Sequence, residues 1–189
     1  MISDTTLILA SGSPRRKELL SQLGYDFSVI KTDVEEIKQA EESAEEYVQR
    51  LALDKASAGL ELAGEGAVVL GSDTVVVIDG QVLEKPRDFA DCQRMLNQLS
   101  DNRHQVMTAV SVVSHSDQQT VVVTTDVWFK PLSEKEIEKY WLSGEPCDKA
   151  GSYGIQGLGG RFVTRIEGSF HSVVGLPLFE TDQLLHEFL

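Results

Sequence analysis

The chain has 189 residues, of which 41% are hydrophobic and 25% are charged, and its formal net charge is −13. This composition suits one globular domain with a sizeable core rather than a disordered chain. A protein this acidic is a poor general binder of nucleic acids or anionic membranes, so any anion must meet positive charges that are gathered locally. Its apolar runs are much shorter than a membrane span, and its N-terminus lacks the pattern of a signal peptide. We therefore expect a cytoplasmic protein with no nucleic-acid or membrane partner.

The first half of the chain alternates apolar runs with helical patterns. The predicted elements, in chain order, are a strand over 7–10, a helix from Pro14 to Gly24, a strand over 25–29, a helix that starts at Ser43, strands over 67–70 and 75–78, a turn at Asp79-Gly80 and a strand over 82–83. Ser13 is the predicted N-cap of the first helix, and Gly24 is its predicted C-cap. Ser43 and Glu46 have the spacing of a capping box. The inward face of this second helix is predicted to carry Tyr47, Leu51, Lys55, Ala58 and Leu62.

The second half of the chain contains a long hairpin pattern between helices. Its predicted elements are a helix over 88–99, a hairpin of strands 106–113 and 121–129, a helix capped by Ser133 and Glu136, a glycine-rich loop over 151–160, a strand over 162–166 and a final helix from Pro177. Because strands and helices interleave and a hairpin is present, the pattern predicts an α/β fold with a mixed sheet.

Three consecutive cations, Arg15, Arg16 and Lys17, occupy the first turn of the first predicted helix. The helix dipole disfavours positive charge there by about 0.3–1 kcal/mol for each residue. One interpretation is a solvated basic patch. The other is that the cations, the free backbone N–H groups and the small residues 11–13 converge on a strong anion such as a triphosphate. The P-loop motif GxxxxGK[ST] is absent, so this is not a P-loop.

Other charged residues allow two interpretations each. Lys55 lies on the apolar face of the second helix, where a lysine usually extends its amine to solvent but can also reach inward to a phosphate. Asp73 follows an apolar strand, which suits either the ligand crevice of an α/β sheet or an Asx-type turn. The adjacent Glu35 and Glu36 resemble a solvated acidic face, and Lys85 resembles an ordinary lysine at the end of a hairpin.

The segment 151–160 is too rich in glycine for a plain turn, and it does not match the GxGxxG fingerprint. Glycines would let its backbone approach a flat ligand closely. Gln156 could then pair with the edge of a base, since its amide both donates and accepts hydrogen bonds. A flexible loop is the alternative. The cysteines and histidines have no metal-binding spacing, and no GxSxG motif is present.

Several short blocks occur in an order that one family shares. They are Leu9 to Arg16, Gly71 to Thr74, Glu84 to Arg87, Asp148 to Gly157 and Gly168 to Pro177. Together they resemble the Maf family of nucleotide pyrophosphatases over nearly the whole chain. The resemblance implies a single domain over 1–189 with a fold similar to that of the inosine triphosphate pyrophosphatases. In that fold, helices flank a long twisted mixed sheet, and two lobes surround a cleft.

The resemblance also implies roles for individual residues. Asp73 matches the catalytic base, and the other matched cleft positions are Ser11, Arg15, Arg16, Glu36, Lys55 and Lys85. Arg15, Thr74 and Gln156 match the positions that mark the subgroup acting on dTTP and UTP. Mg²⁺ or Mn²⁺ would be held by carboxylates such as Glu36 and Asp73, although the sequence leaves open which of Glu35 and Glu36 faces the cleft. Arg16, Lys55 and Lys85 would neutralise the phosphate chain.

The implied reaction is hydrolysis of dTTP and UTP to the monophosphate and pyrophosphate, with the nucleotide as the partner and a homodimer as the expected assembly. Modified pyrimidine or deaminated purine triphosphates are alternative substrates. An alternative of another class is a nucleotide-binding regulator of cell division, because the family name comes from inhibited septum formation. A structural interaction protein is a third alternative, which the cation-rich helix start disfavours.

Overall fold

One mixed sheet forms on the apolar runs of the sequence. The computed structural model describes residues 5–189. Their strands are β1 Thr6–Leu9, β2 Phe27–Val29, β3 Ala67–Ile78, β4 Gln81–Leu83, β5 Arg103–Val113, β6 Gln118–Phe129 and β7 Val163–Glu167. The strand order is β2-β1-β3-β5-β6-β7, with β4 paired to β3. Strand β1 runs parallel to β2 and β3, whereas β3–β4 and β6–β7 are antiparallel pairs, which confirms the predicted α/β fold with a mixed sheet.

The helices begin where the sequence provides capping residues. They are α1 Pro14–Gln22, α2 Ala44–Leu62, α3 Phe89–Leu99, α4 Glu134–Leu142, α5 Phe170–Val174 and α6 Leu178–Phe188. The Ser13 side chain accepts a hydrogen bond from the Arg16 N–H, as predicted for an N-cap. Both predicted capping boxes, at Ser43 and Ser133, are formed. The short helix α5 was not predicted, and short 3₁₀ turns occupy Glu145–Asp148, Ala150–Ser152 and Leu158–Phe162.

The described residues divide into two compact units. The first unit comprises 5–73, 108–123 and 175–189, and the second comprises 74–107 and 124–174. One core cluster of the first unit contains Ile8, Ala10, Ala56, Ala67, Val69 and Val113. The core of the second unit contains aromatic residues such as Phe129, Tyr140, Tyr153 and Phe162. A single domain over 1–189 remains a prediction. Within residues 5–189, no helix is long and apolar enough to cross a membrane.

Strand β3 is one continuous strand, so the prediction of two strands separated by a turn at 71–74 was wrong. The reason is the packing of α2 on Gly71. A Cβ on Gly71 would lie 2.4 Å from the Ala52 carbonyl oxygen and 2.6 Å from the Ala56 nitrogen. The glycine is therefore needed for close helix–strand contact, and Asp73 lies inside a buried strand rather than at its carboxyl end or in an Asx-type turn.

The buried face of α2 also differs from the predicted one at its C-terminal end. Tyr47 and Leu51 are buried as predicted, but Leu62 is 66% exposed. The helix instead presents small residues to the sheet, including Ala56 and Gly59. A Cβ on Gly59 would lie 2.8 Å from a methyl carbon of Val69, so these small residues let α2 lie close to the strands.

Candidate active site

Lys55 on α2 and Asp73 on β3 form an ion pair inside the first unit. The Lys55 Nζ lies 2.7 Å from Asp73 Oδ1, and their side chains are only 13% and 9% exposed. Side chains alternate along a strand, so Asp73 shares a face with Gly71, the residue against which α2 packs. The glycine contact therefore brings the helix close enough for Lys55 to reach Asp73. Lys55 points inward, and the interpretation that it extends to solvent was wrong.

Glu36 provides a second carboxylate for the same ammonium group. Its Oε1 lies 2.9 Å from Lys55 Nζ, and its side chain is 41% exposed. Tyr47 is a residue of α2, and its hydroxyl donates a hydrogen bond of 3.1 Å to the Glu36 carbonyl. This contact ties the segment before α2 to the helix. Glu36 is thus the member of the Glu35-Glu36 pair that contacts Lys55.

Arg16 reaches inward from the first turn of α1. Its Nε donates a hydrogen bond of 2.8 Å to the carbonyl of Gly175, which also accepts a bond of 3.1 Å from the buried Ser72 hydroxyl. Burial lowers the pKa of Arg16, while Asp73 and Glu36 act in the opposite direction. Arg16 is consequently a cation that the two carboxylates stabilise, and the interpretation as a solvated patch fails for this residue.

The electrostatic environment of Asp73 raises the pKa of its carboxyl group. Burial raises the pKa of Asp73, and the nearby Lys55 and Arg16 only partly offset that rise. The Glu36 carboxylate raises it further by repulsion. A carboxylate whose pKa is raised towards the working pH is better suited to act as a general base than an ordinary aspartate.

The predicted site residues divide between the two units. The first unit brings together Arg16, Glu36, Lys55 and Asp73 through the contacts above, and it also contains the half-buried Arg15. Ser11, which is buried, accepts a hydrogen bond of 3.1 Å from the Ser13 N–H at the start of α1. The remaining predicted residues, Thr74, Lys85 and Gln156, belong to the second unit.

Within the second unit, these three residues have different surroundings. Thr74 is half-buried and follows Asp73 in β3, so its side chain points to the opposite face of the strand. Lys85 is exposed and comes directly after Glu84, whose carbonyl accepts a hydrogen bond of 3.2 Å from the Gly151 N–H. Gln156 is exposed on the glycine-rich loop.

Glu145 is a residue that the sequence reasoning missed. Its carboxylate accepts hydrogen bonds from the N–H groups of Leu158 and Gly159, at 2.7 and 2.9 Å, and from the Tyr140 hydroxyl. A Cβ on Gly157 would lie 1.8 Å from Glu145 Oε1. At Gly157, the group that approaches the backbone closely is therefore the protein's own carboxylate.

A paired-carboxylate site is the metal-ligand arrangement that the structure offers. Within residues 5–189, no group of three or more His, Cys, Asp or Glu side chains is arranged to hold a metal ion. Glu36 and Asp73 nevertheless direct one oxygen each at a single positive group, the Lys55 ammonium. Two carboxylate oxygens that meet at one cation are chemically suited to a hard divalent ion.

The fold and the site define an α/β protein in which a lysine pairs with two carboxylates and an arginine at the start of a helix interacts electrostatically with both of them. The chain belongs to the family of Maf-like proteins, whose model matches residues 6–188. The chain is 72% identical over 189 residues to a Vibrio parahaemolyticus protein named dTTP/UTP pyrophosphatase, and the alignment covers 100% of both chains. It is 55% identical over 184 residues to a Salmonella typhimurium protein of the same name, covering 97% of this chain and 93% of the relative. Among solved structures, the Ham1 protein of Staphylococcus aureus matches 66% of this chain and 71% of its own, with 18% identity and a TM-score of 0.49.

Proposed function

We propose that the protein hydrolyses dTTP and UTP to the nucleoside monophosphate and pyrophosphate. The observation that carries this proposal is the cluster in which Lys55 pairs with Asp73 and Glu36 and Arg16 interacts electrostatically with both carboxylates. Relatives that match the chain over nearly their whole length are named dTTP/UTP pyrophosphatases, which supports the same reaction and does not favour the regulatory alternative.

Asp73 is the proposed general base. A water molecule attacks the α-phosphorus in line with the bridging oxygen of the β-phosphate. As the new P–O bond forms, the proton of the water passes to Asp73, and the bond between the α-phosphorus and the bridging oxygen breaks. Pyrophosphate leaves with that oxygen. The raised pKa of Asp73 makes the carboxylate a better proton acceptor for this step.

Cationic side chains are proposed to balance the charge of the triphosphate. Lys55 and Arg16 already lie beside the carboxylates of the first unit, and Lys85 is the proposed third cation of the phosphate chain. Positive groups placed beside the phosphate chain stabilise the negative charge that develops in the transition state. Ser11 and Arg15, at the start of α1, are proposed to contact the substrate, because a helix N-terminus also offers backbone N–H groups to phosphate oxygens.

Glu36 and Asp73 are the proposed ligands of a divalent metal, Mg²⁺ or Mn²⁺. The residues fit such an ion, because two carboxylate oxygens already meet at one positive group. Mg²⁺ commonly binds through one or two carboxylates together with substrate phosphates and water. When bound, a divalent ion lowers the pKa of water and withdraws charge from phosphoryl oxygens. Lys55 would then shift from the carboxylates towards the phosphate.

The proposed determinants of base choice are Gln156, Thr74 and Arg15. Uracil and thymine present an acceptor, a donor and an acceptor along one edge, whereas cytosine presents a different order. The Gln156 amide can match a donor and an acceptor of that edge at once. The exposed position of Gln156 on the glycine-rich loop leaves it available to a ligand.

The assembly and location are also proposals. A homodimer and a cytoplasmic location are supported by the family resemblance. Sedimentation equilibrium of the purified protein tests the dimer, which requires a mass twice that of the 20.8 kDa chain.

The experiment for the reaction measures pyrophosphate release with Mg²⁺ or Mn²⁺ across UTP, dTTP, CTP, the purine triphosphates, ITP and 7-methyl-GTP. The products are separated, so that pyrophosphate is distinguished from two molecules of phosphate. We expect UMP or dTMP and one pyrophosphate, with UTP and dTTP preferred. Preference for ITP or 7-methyl-GTP would replace the proposed substrates with modified ones. No release from any triphosphate would overturn the assignment as an enzyme and favour a nucleotide-binding regulator.

A further inference from the structure

Two side chains of the second unit, Glu145 and Tyr140, accept hydrogen bonds from the backbone of the glycine-rich loop. Glu145 Oε1 accepts the Leu158 N–H at 2.7 Å, and Oε2 accepts the Gly159 N–H at 2.9 Å and the Tyr140 hydroxyl. Tyr140 Oη in turn accepts a hydrogen bond of 3.2 Å from the Gly154 N–H. One carboxylate and one phenol therefore hold both sides of the short turn that carries Gln156.

The glycines of the loop fit these two side chains closely. A Cβ on Gly157 would lie 1.8 Å from Glu145 Oε1, and a Cβ on Gly159 would lie 2.6 Å from Tyr140 Oη. Gly157 has a φ of −106°, so it does not lie in the left-handed region that favours glycine. The absence of a side chain at Gly157 is explained by the space that the Glu145 carboxylate occupies.

Glu145 itself is fixed by its neighbours. Its carbonyl accepts a hydrogen bond of 3.0 Å from Lys149 Nζ, and the Lys149 side chain lies under Gly154, where a Cβ would be 2.7 Å from Lys149 Cε. Burial raises the pKa of Glu145, but hydrogen bonds from the Tyr140 hydroxyl and from the Gly159 and Leu158 N–H groups outweigh that effect and lower the pKa. The carboxylate is therefore held as the charged acceptor that these donors require.

We propose that Glu145 is a positioning residue for base recognition, because it fixes the Gly154–Leu158 turn in the conformation that presents Gln156 to the pyrimidine. The proposal rests on the proposed function and adds a residue that makes no contact with the substrate itself. Glutamine in place of Glu145 keeps the shape but turns one acceptor into an N–H₂ donor, which then faces a backbone N–H or the Tyr140 hydroxyl. The turn would loosen, and Gln156 would lose its fixed position while the carboxylate cluster of the first unit keeps its contacts.

The test compares kcat and KM for UTP and CTP in the wild-type protein, Glu145→Gln and the matched control Glu138→Gln. Glu138 is an exposed glutamate on α4, so its variant should behave as the wild type. We expect Glu145→Gln to lower the preference for UTP over CTP about tenfold, the equivalent of one hydrogen bond, mainly through a higher KM for UTP. The kcat for CTP should change little. Tyr140→Phe removes only one hydroxyl and should shift the preference in the same direction by less.

Two results would overturn the proposal. One is an unchanged preference for UTP over CTP in Glu145→Gln: with faster amide hydrogen exchange at Leu158 and Gly159, it would show that fixing the turn does not matter for recognition, and without faster exchange, that Glu145 does not fix the turn. The other is an equal fall in kcat for both substrates with unchanged KM, which would indicate a general structural role. If the wild-type protein released no pyrophosphate, the proposed function would fail separately. The ratio of the UTP and CTP dissociation constants, measured by calorimetry with Mg²⁺, would then decide the positioning role, with the same shift expected and an unchanged ratio overturning it.

Discussion

Asp73 in the first unit is a buried carboxylate and Glu145 in the second unit is a half-buried one, and different groups hold them. Asp73 pairs with a lysine and lies in the field of Arg16 and Glu36, all of which are side-chain charges. Glu145 accepts hydrogen bonds from two backbone N–H groups and a tyrosine hydroxyl. Correspondingly, the pKa of Asp73 is raised mainly by burial, whereas hydrogen bonds lower the pKa of Glu145 despite burial.

The difference indicates which carboxylate can take part in a reaction. The cationic partner of Asp73 is the ammonium group of Lys55, which ends a flexible side chain. It can therefore turn from the carboxylate to a phosphate group and remain paired with a negative charge. Two of the three donors around Glu145 are backbone N–H groups of the glycine-rich loop, which cannot turn to another acceptor without a change in the loop. Asp73 therefore suits chemistry and Glu145 suits positioning. Four predictions test this contrast, from the largest expected effect to the smallest.

Replacing Lys55 with methionine should have the largest effect. The variant removes the positive partner of a buried carboxylate and one of the proposed cations for the triphosphate, so we expect kcat/KM for UTP to fall at least about 10²-fold. The unfolding free energy at neutral pH should also fall, by about 3 kcal/mol, because Asp73 loses its counter-ion. Steady-state kinetics and urea unfolding measure these effects. The control is Lys135→Met, an exposed lysine of α4, and equal activity of the two variants would contradict the account.

A double-mutant cycle tests the contact between Gly157 and Glu145. Gly157→Ala places a Cβ where the carboxylate oxygen now lies and should lower the unfolding free energy by about 2 kcal/mol. In a Glu145→Ala background, the same change should cost less than half as much, because the obstructing group is gone. Urea unfolding of the four proteins gives the coupling. An identical cost in both backgrounds would show that the glycine serves something other than the carboxylate.

Gln156→Ala should separate base recognition from stability. The side chain is exposed, so the melting temperature should stay at the wild-type value. The preference for UTP over CTP should fall about tenfold, corresponding to about 1.4 kcal/mol in kcat/KM. Competition between the two triphosphates in one reaction gives this ratio directly. A retained preference would remove Gln156 from the proposed recognition and would leave Glu145 without a residue to position.

Neutralising each carboxylate should change stability in opposite directions, by about 1 kcal/mol or less. At pH 7 in EDTA, Asp73→Asn should raise the melting temperature, since burial disfavours the charged form of Asp73. Glu145→Gln should lower it, since the folded protein favours charged Glu145. Because the pKa of Glu145 is lowered, its contribution is fully present above its ordinary value of 4.5 and is lost as the pH falls through the lowered pKa. Calorimetric scans from pH 3 to 7 measure this, and destabilisation of equal size by both variants at pH 7 would contradict the contrast.

Local signals in the sequence predicted much of the fold. The capping boxes at Ser43 and Ser133 and the Asp79-Gly80 turn depend on residues a few positions apart, and the structure contains all of them. Asp79 has a φ of 49° and Gly80 a φ of 74°, the positive values that two-residue hairpin turns favour. Such features can be read from a sequence because both interacting partners are close neighbours in the chain.

Features that depend on distant partners could not be predicted in the same way. Gly71 resembles a turn residue until the backbone of α2 is placed against it, and only then does β3 continue through Asp73. The Glu145 carboxylate accepts hydrogen bonds from Leu158 and Gly159, more than ten residues further along the chain. The segment between them has no helical or strand periodicity, so the sequence did not predict this contact. For Lys55, the helical position left both an inward and a solvent-directed side chain open, because the two carboxylates that it contacts come from separate segments of the chain.

The most direct test of the central claim is pyrophosphate release from UTP with Mg²⁺ by Asp73→Asn. The matched control is Asp79→Asn, because Asp79 is an exposed aspartate in a turn with a φ of 49°, a conformation that asparagine tolerates. General-base catalysis contributes about 10²–10⁴-fold, so we predict that folded Asp73→Asn loses at least about 10²-fold in kcat while Asp79→Asn keeps the wild-type rate. If Asp73→Asn retained about a tenth of the wild-type rate, a loss smaller than general-base catalysis supplies, Asp73 would not be the base.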